Sequence, residues 1–403
     1  MYISAALVAL LPWVLAAAPR PIEPTAHESV ISRNYIIKFK DDSSLSTLDS
    51  VLGMLSEEEK PQHIYSDVFR GFSGKLHNST LYYLQEHQEI DFVEPDSMME
   101  GFRLIAQSKA QWGLGRISNR QPRSSVYRYD ESAGAGTCTY VIDTGIMASH
   151  RDFNGRAAQL VNFIQHEPNV DNNGHGTHVA GTVGGQTFGV AKKTKIFGIK
   201  VLAANNFGPT SGIVAGMDWV FQHARTADCP RGIVVNLSLG GSYSQAMNIA
   251  ADRLANAGAF VAVAAGNARI DARGISPASA RSVCTVGATN PDDSMASYSN
   301  YGPLVNILAP GTNVVSTWPN GEVRQLYGTS MASPHVAGIA ASIMSSRGRP
   351  AGGGAALCSQ LIYISSKNAI RGVFGGTPNL LAYNGVDLSS TDWLTEEELG
   401  GEL

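Results

Sequence analysis

Hydrophobic and polar positions divide the chain into two stretches with different rhythms. Residues 35–39 alternate as a strand, and Leu48, Val51, Leu52 and Leu55 share one face of a helix predicted over 45–55. Strands are predicted at 64–69 and 72–76 with Gly71 as the turn between them, then a helix at 79–87 and a strand at 90–93. The order β-α-β-β-α-β is that of the ferredoxin-like α+β motif. On its own it carries no function.

Residues 97–107 lack a clear pattern and read as a linker. From Trp112 to Tyr383 the rhythm changes. Short apolar runs at 139–142, 196–201, 233–237, 259–264 and 283–287 end in small or polar residues and alternate with Ala-rich helical segments. Such runs predict strands buried on both faces of a parallel sheet, with helices as crossovers. In an α/β fold of this kind, sites form outside the carboxyl ends of the strands.

The two termini differ from both stretches. Ala5 to Ala18 is an apolar, small-residue run broken only by Pro12. It falls short of the roughly 20 residues that span a bilayer and suits a signal peptide cut after Ala16 or Ala17. The last twenty residues carry Asp387, Asp392, Glu396, Glu397, Glu398 and Glu402, with no Lys or Arg after Arg371. They read as a solvated acidic tail. No internal repeat is present.

Composition narrows the classes further. The 403 residues allow two or three domains, and 43% hydrophobic against 16% charged residues can bury a large core. Thirty Lys+Arg against 34 Asp+Glu give a formal net charge of −4, which argues against nucleic-acid binding and against disorder. The four Cys form no CxxC pair, so zinc and redox motifs are unsupported. In a secreted protein they suit two disulfides.

Three segments carry candidate chemistry. Asp143 ends a buried run in Tyr140-Val-Ile-Asp143-Thr-Gly145. His175 opens a small-residue helix in Asn173-Gly-His175-Gly-Thr-His178-Val-Ala-Gly181. Ser330 stands where a loop enters an apolar helix in Gly328-Thr-Ser330-Met-Ala-Ser333-Pro334-His335-Val-Ala-Gly338, with Pro334 taken as a first-turn residue. A hydroxyl there lies beside unpaired backbone N–H groups. Each alone is more often a cap or a packing residue.

In the order Asp, His, Ser, these words resemble the subtilisin-like serine peptidases, most closely the fungal proteinase K branch. The resemblance runs over Trp112–Tyr383 and includes YDESAG at 129–134, GVAKK at 189–193, NLSLGG at 236–241, AAGN at 264–267 and SYSNYG at 297–302. It implies a three-layer α/β peptidase with Ser330 as nucleophile, His175 as general base and then acid, and Asp143 orienting the imidazole. Asn267 would donate to the oxyanion, while His178 and His335 would be structural. No HExxH accompanies His175 and His178, which removes the zinc reading.

Asn206-Phe207-Gly208 and Ser238-Leu239-Gly240-Gly241, with Ala264, Ala265 and Gly266, match the segments that bind substrate in relatives. Backbone pairing of an extended peptide there implies broad specificity. Ile275 replaces an aromatic residue of that branch. The unit at 34–96 resembles the family's inhibitory propeptide, whose tail (Phe92 to Asp96 here) lies in the cleft until cut. The implied division is a signal peptide at 1–18, a propeptide at 19–107, a peptidase domain at 108–384 and a tail at 385–403, with the mature start between Gly101 and Ser108. Asn78-Ser-Thr80 is a glycosylation acceptor pattern, whereas the one at Asn236 lies on a buried run.

The branch implies the pairs Cys138–Cys229 and Cys284–Cys358. It also implies no cofactor for the chemistry, but a structural calcium held by two carbonyls, here of Arg281 and Val283, and a carboxylate. The carboxylate position is Asn306, which predicts a weakened or empty site unless Asp292 or Asp293 compensates. The expected whole is a secreted, monomeric, self-processing endopeptidase whose partners are protein and peptide substrates and its own propeptide, without nucleic acid or membrane. An α/β-hydrolase would need GxSxG, which is absent. A dinucleotide-binding enzyme would need its glycines after the strand, and Gly134-Ala-Gly136 precede it. An inactive binding protein on the same scaffold would not need all four catalytic positions.

Overall fold

A computed structural model describes residues 30–97 and 104–387. The signal segment 1–18, the start of the window for the mature terminus and the tail from 388 lie outside the described residues. The chain divides into two compact units, the first ending at Gly101 and the second beginning at Phe102.

The first unit runs β1 (Val30–Phe39), α1 (Leu45–Met54), β2 (His63–Tyr65), β3 (Gly71–Lys75), α2 (Asn78–Gln85) and β4 (Ile90–Ser97). The strands form an antiparallel sheet in the order β2-β3-β1-β4. The helices close one face over Ile37, Phe39, Leu48, Val51, Phe72 and Leu84. Ser44 caps α1 by accepting the Thr47 N–H at 3.2 Å.

Two expectations change here. Gly71 is a strand residue rather than a turn, and the reversal falls at 66–70. A Cβ at Gly71 would stand 2.1 Å from the Ile37 carbonyl oxygen, so close approach of β1 demands the glycine. β4 also runs past Pro95, which is tolerated because β4 is an edge strand.

The second unit opens with β5 (Leu104–Gln107), α3 (Trp112–Ile117) and β6 (Tyr127–Asp130). β5 pairs antiparallel with β6, so 104–107 are not linker. A four-residue strand takes its stability from its partner, and its own sequence carries little signal.

Then follow β7 (Thr137–Asp143), β8 (Ala157–Asn162), α4 (His175–Gly184), β9 (Lys195–Lys200), α5 (Thr210–His223), β10 (Gly232–Leu237), β11 (Gly241–Ser242), α6 (Gln245–Asn256) and β12 (Phe260–Ala264). The rest comprises β13 (Ile275–Ser276), β14 (Cys284–Thr289), β15 (Ile307–Pro310), β16 (Val314–Trp318), β17 (Glu322–Leu326), α7 (Thr329–Arg347), α8 (Gly353–Ile364), β18 (Ser366–Lys367) and β19 (Leu380–Leu381).

Nine strands form one sheet in the order β18-β19-β15-β14-β12-β10-β7-β9-β8. Every pairing in it is parallel except β18 with β19.

Period-two alternation sends neighbours to opposite faces. Val234, Phe260 and Ala262 pack with α7 and α8, while Val235, Val261 and Val263 pack with α5 and α6. Burial on both faces explains why these strands read as continuous apolar runs. Each large side chain fully buried this way contributes roughly 1.5–3 kcal/mol.

Both helices that lead into the site are short of bulk. A Cβ at Gly338 of α7 would meet the Val190 side chain at 2.5 Å, so glycine lets the helix lie close. Disulfides join Cys138 to Cys229 and Cys284 to Cys358 across 91 and 74 residues, and no described cysteine is free. Loops that long can each add about 4–5 kcal/mol through the unfolded chain.

Candidate active site

Three elements of the second unit converge at the carboxyl ends of its strands. Asp143 is the last residue of β7, His175 the first of α4 and Ser330 the second of α7. Gly174, at φ +107, makes the sharp entry to α4, and a Cβ there would run into the Trp318 ring.

Asp143 is fully buried. Its Oδ1 accepts the Thr144 N–H at 2.7 Å and the His175 Nδ1–H at 2.8 Å. That bond fixes the tautomer and leaves the Nε2 lone pair of His175 available. Burial works against a proton on His175, yet the Asp143 charge and hydrogen bond, helped by Asp171, outweigh it and raise the imidazole above its ordinary value.

Asp171 is a residue that sequence reasoning missed. Its carboxylate accepts the Thr144 hydroxyl and the N–H groups of Asn173 and Gly174 on one oxygen, and the Thr177 N–H and hydroxyl on the other. It thereby shapes the loop that delivers His175 and ties it to the residue after Asp143. Its place four residues ahead of a glycine-flanked histidine was the available signal.

Ser330 reaches the site on α7, but its hydroxyl donates to the Ser238 carbonyl at 3.1 Å, and no hydrogen bond joins it to His175. In return the Ser238 hydroxyl donates to the Ser330 carbonyl at 2.8 Å. Pro334 explains that second bond. It lies in the second turn of α7 rather than the first, and lacks the N–H that would fill the Ser330 carbonyl four residues back. Behind it, Asn236 accepts from the Ser333 hydroxyl and donates to Ser238, which pins α7 to β10 and leaves the Asn236 acceptor pattern buried.

Asn267 follows the turn after β12. Its Oδ1 accepts both the Thr329 N–H and the Thr329 hydroxyl, at 2.8 and 2.9 Å. Only oxygen can accept a backbone N–H, so the amide nitrogen faces the other way. A Cβ at Gly328 would sit 3.2 Å from that nitrogen and 3.6 Å from the Ser330 nitrogen. Both nitrogens therefore border a space that glycine keeps open. Thr329, which also takes the Gly266 N–H on its hydroxyl, is a second positioning residue unmarked in the sequence.

Beside Ser330 lies a cleft of about 360 Å³. Asn206, Phe207, Gly208, Ser238, Leu239, Gly240, Gly241, Ala264, Gly266 and Asn267 all line it. Ala265 does not line it; it is wholly buried, donating to the Val286 carbonyl and accepting from Asn300. Asn300, also unforeseen, lines the cleft and holds the N–H groups of Ala268 and Ile270. Gly241 pairs with Ser276 on one edge. Ile275 lines the cleft, and no lining side chain is charged.

His178 and His335 are internal. Burial pushes His178 down to about 3 and His335 down to about 4. His178 Nε2–H donates to the Val314 and Arg324 carbonyls, and His335 Nδ1–H to the Met331 carbonyl.

At the position considered for calcium, Asn306 Oδ1 accepts the Thr285 N–H at 2.7 Å. Asp292 and Asp293 are paired with Arg371 and Arg116. No group of three or more His, Cys, Asp or Glu side chains among the described residues could hold a metal ion. An amide that already holds a backbone N–H offers a cation less charge at this position than a carboxylate would.

The chain is similar to known proteins along most of its length. Residues 134–370 match the profile of the subtilase family, peptidase S8, and residues 34–101 match that of the peptidase inhibitor I9. A cuticle-degrading protease of Metarhizium anisopliae is 48% identical, over 96% of this chain and 100% of its own. Proteinase R of Parengyodontium album is 44% identical, over 94% and 98%. The crystal structure of a cold adapted subtilisin-like serine proteinase is 40% identical with a TM-score of 0.64, covering 69% of this chain and 99% of that one.

Proposed function

The chain belongs to the subtilase family as a proteinase K-type serine endopeptidase with an I9 inhibitor segment, and from that premise we propose that Asp143, His175 and Ser330 carry its chemistry. The observation that carries this reading is the 2.8 Å hydrogen bond from His175 to the buried Asp143 carboxylate.

The Ser330 hydroxyl turns from Ser238 to His175 and attacks the scissile carbonyl, while His175 Nε2 takes its proton. Asp143 stabilises the imidazolium. The oxyanion is held by the Asn267 amide nitrogen and the Ser330 N–H, which has no intrahelical acceptor at the second position of α7. His175 then gives the proton to the departing amine, leaving an acyl-enzyme on Ser330. Water, deprotonated by His175, releases the acid and restores the serine.

An extended substrate adds as a strand between the edges at 206–208 and 238–240. The uncharged lining favours broad preference for neutral side chains and argues against strict selection of basic residues. Residues 34–96 act as the intramolecular inhibitor, removed by a cut between Gly101 and Ser108. The pairing of β5 within the catalytic unit favours the early side of that window. Secretion is directed by residues 1–18, and the mature enzyme acts as a monomer without nucleic acid or membrane. Among the described residues no helix is long and apolar enough to cross a membrane. With Asn306 turned to β14, calcium is bound weakly or not at all at that position.

Hydrolysis of a denatured protein, measured before and after a fluorophosphonate, tests the chemistry. Loss of activity with one modified residue at Ser330 is expected. Full activity after stoichiometric labelling, or labelling elsewhere, contradicts it.

A further inference from the structure

The cleft-lining residues Asn206–Gly208 belong to a tight turn. Ala203 N–H donates to the Phe207 carbonyl and Asn206 N–H to the Ala203 carbonyl, both at 2.8 Å, with Asn206 at φ +65. These bonds shape the turn but do not anchor it to the catalytic residues. Two bonds from another loop do. Glu167 Oε1 accepts the Ala204 N–H at 3.0 Å, and Asn173 Nδ2 donates to the Ala204 carbonyl at 2.8 Å.

Glu167 is also the partner of an unusual cation. Lys200, at the end of β9, is fully buried, and its ammonium forms an ion pair with Glu167 Oε2 at 3.0 Å. The same ammonium donates to the carbonyls of Thr144 and Leu202, at 2.9 and 3.0 Å. Thr144 directly follows Asp143. Leu202 N–H and Val201 N–H both donate to the Asp143 carbonyl. Asn173, in turn, accepts the His175 N–H on its side-chain oxygen at 3.1 Å. One carboxylate thus joins the substrate-facing turn to the backbone around Asp143, and its neighbour Asn173 joins the same turn to His175. A buried ammonium without a counter-charge is costly, so the pair is held in register by electrostatics as well as by geometry.

We propose that Glu167 is a positioning residue for substrate: through Ala204 and Lys200 it sets the Asn206–Gly208 edge at the height where it can pair with an extended peptide. It touches neither the reacting atoms nor the cleft, and none of the sequence motifs includes it. The inference rests on the reading of 206–208 as a substrate-pairing edge.

The test compares two substrates on wild type, Glu167→Gln and Glu167→Ala: a blocked single-residue ester, and a blocked tetrapeptide amide that extends along the edge. In wild type, extension raises kcat/KM. In both variants that gain falls by about tenfold, mainly through KM, because the edge is displaced rather than the triad. Turnover of the single-residue ester changes less than about twofold, and so does the rate of Ser330 labelling by a small fluorophosphonate.

A double variant, Glu167→Gln with Lys200→Met, removes the stranded charge and keeps the test valid if the single variants fold poorly. It too loses the gain. Retention of the full gain in folded variants overturns the inference, as does an equal loss on both substrates. A wild type that gains nothing from extension overturns the edge reading itself, and the inference falls with it.

Discussion

At the residue scale, the proposed chemistry depends on the protonation of His175 and on a small empty space beside Gly328. The neutral imidazole is the active form, and His175 is raised above its ordinary value of about 6.5. Activity therefore rises with pH through a midpoint above that value, and the acid limb of kcat/KM reports it. Asp143→Asn removes the charge that raises it, so the limb moves to lower pH while turnover falls by roughly 10⁴. An unmoved limb in that variant would assign the titration to another group. Gly328→Ala tests the oxyanion space. At φ +143 the alanine is strained, and its methyl group stands 3.2 Å from the Asn267 nitrogen. Turnover should fall by about 10²–10³ with the fold retained, the size of losing one oxyanion donor. Near-normal turnover would mean the two nitrogens do not share the oxyanion.

The proposed site residues that are legible in the sequence are those whose chemistry is written in their own side chains and neighbours. Asp143, His175, Ser330 and Asn267 stand in short specific words. Asp171, Thr329, Asn300 and Glu167 do not, because their roles are defined by which backbone groups reach them after folding. Ala265 illustrates the converse. It sits in the right word, but it is buried away from the cleft its neighbours line, with its backbone bonded to Val286 and Asn300.

At the element scale, the strands were legible because burial on both faces leaves long apolar runs. The shortest elements were not. β5 depends on β6, β4 continues through a proline, and Gly71 serves a close strand contact instead of a turn. Helix α7 was legible from its word, though Pro334 lies a turn deeper than read, where it frees the Ser330 carbonyl for Ser238.

The helices also predict acid sensitivity. His178 in α4 and His335 in α7 are held down at about 3 and about 4, whereas unfolded histidine titrates near 6.5. Their folded pKa values are depressed, so their stabilising contribution is complete above about 6.5. It declines as pH falls towards 4, by up to about 1.4 kcal/mol per unit for each group. Melting temperatures at pH 7 and pH 4.5 should differ less in His335→Gln than in wild type. An identical difference would remove His335 from the acid response.

At the scale of the whole molecule, stability rests on buried clusters on both faces of the large sheet, on the separate core of the first unit and on two long-range disulfides. With calcium proposed to bind weakly or not at all at Asn306, it adds little there. Melting temperature should change little between excess calcium and chelator. A large chelator-induced drop, restored by micromolar calcium and insensitive to Asn306→Ala, would show a high-affinity site elsewhere. The inhibitor segment and the peptidase are separate compact units, which suits a precursor that folds whole and then cuts itself once. That self-cut joins the proposed triad to the proposed zymogen. The most direct measurement is the intact mass and amino-terminal sequence of purified, refolded wild type and Ser330→Ala. Wild type should release the propeptide and begin between Gly101 and Ser108, while Ser330→Ala should remain a single unprocessed chain; efficient release by Ser330→Ala alone would contradict the account.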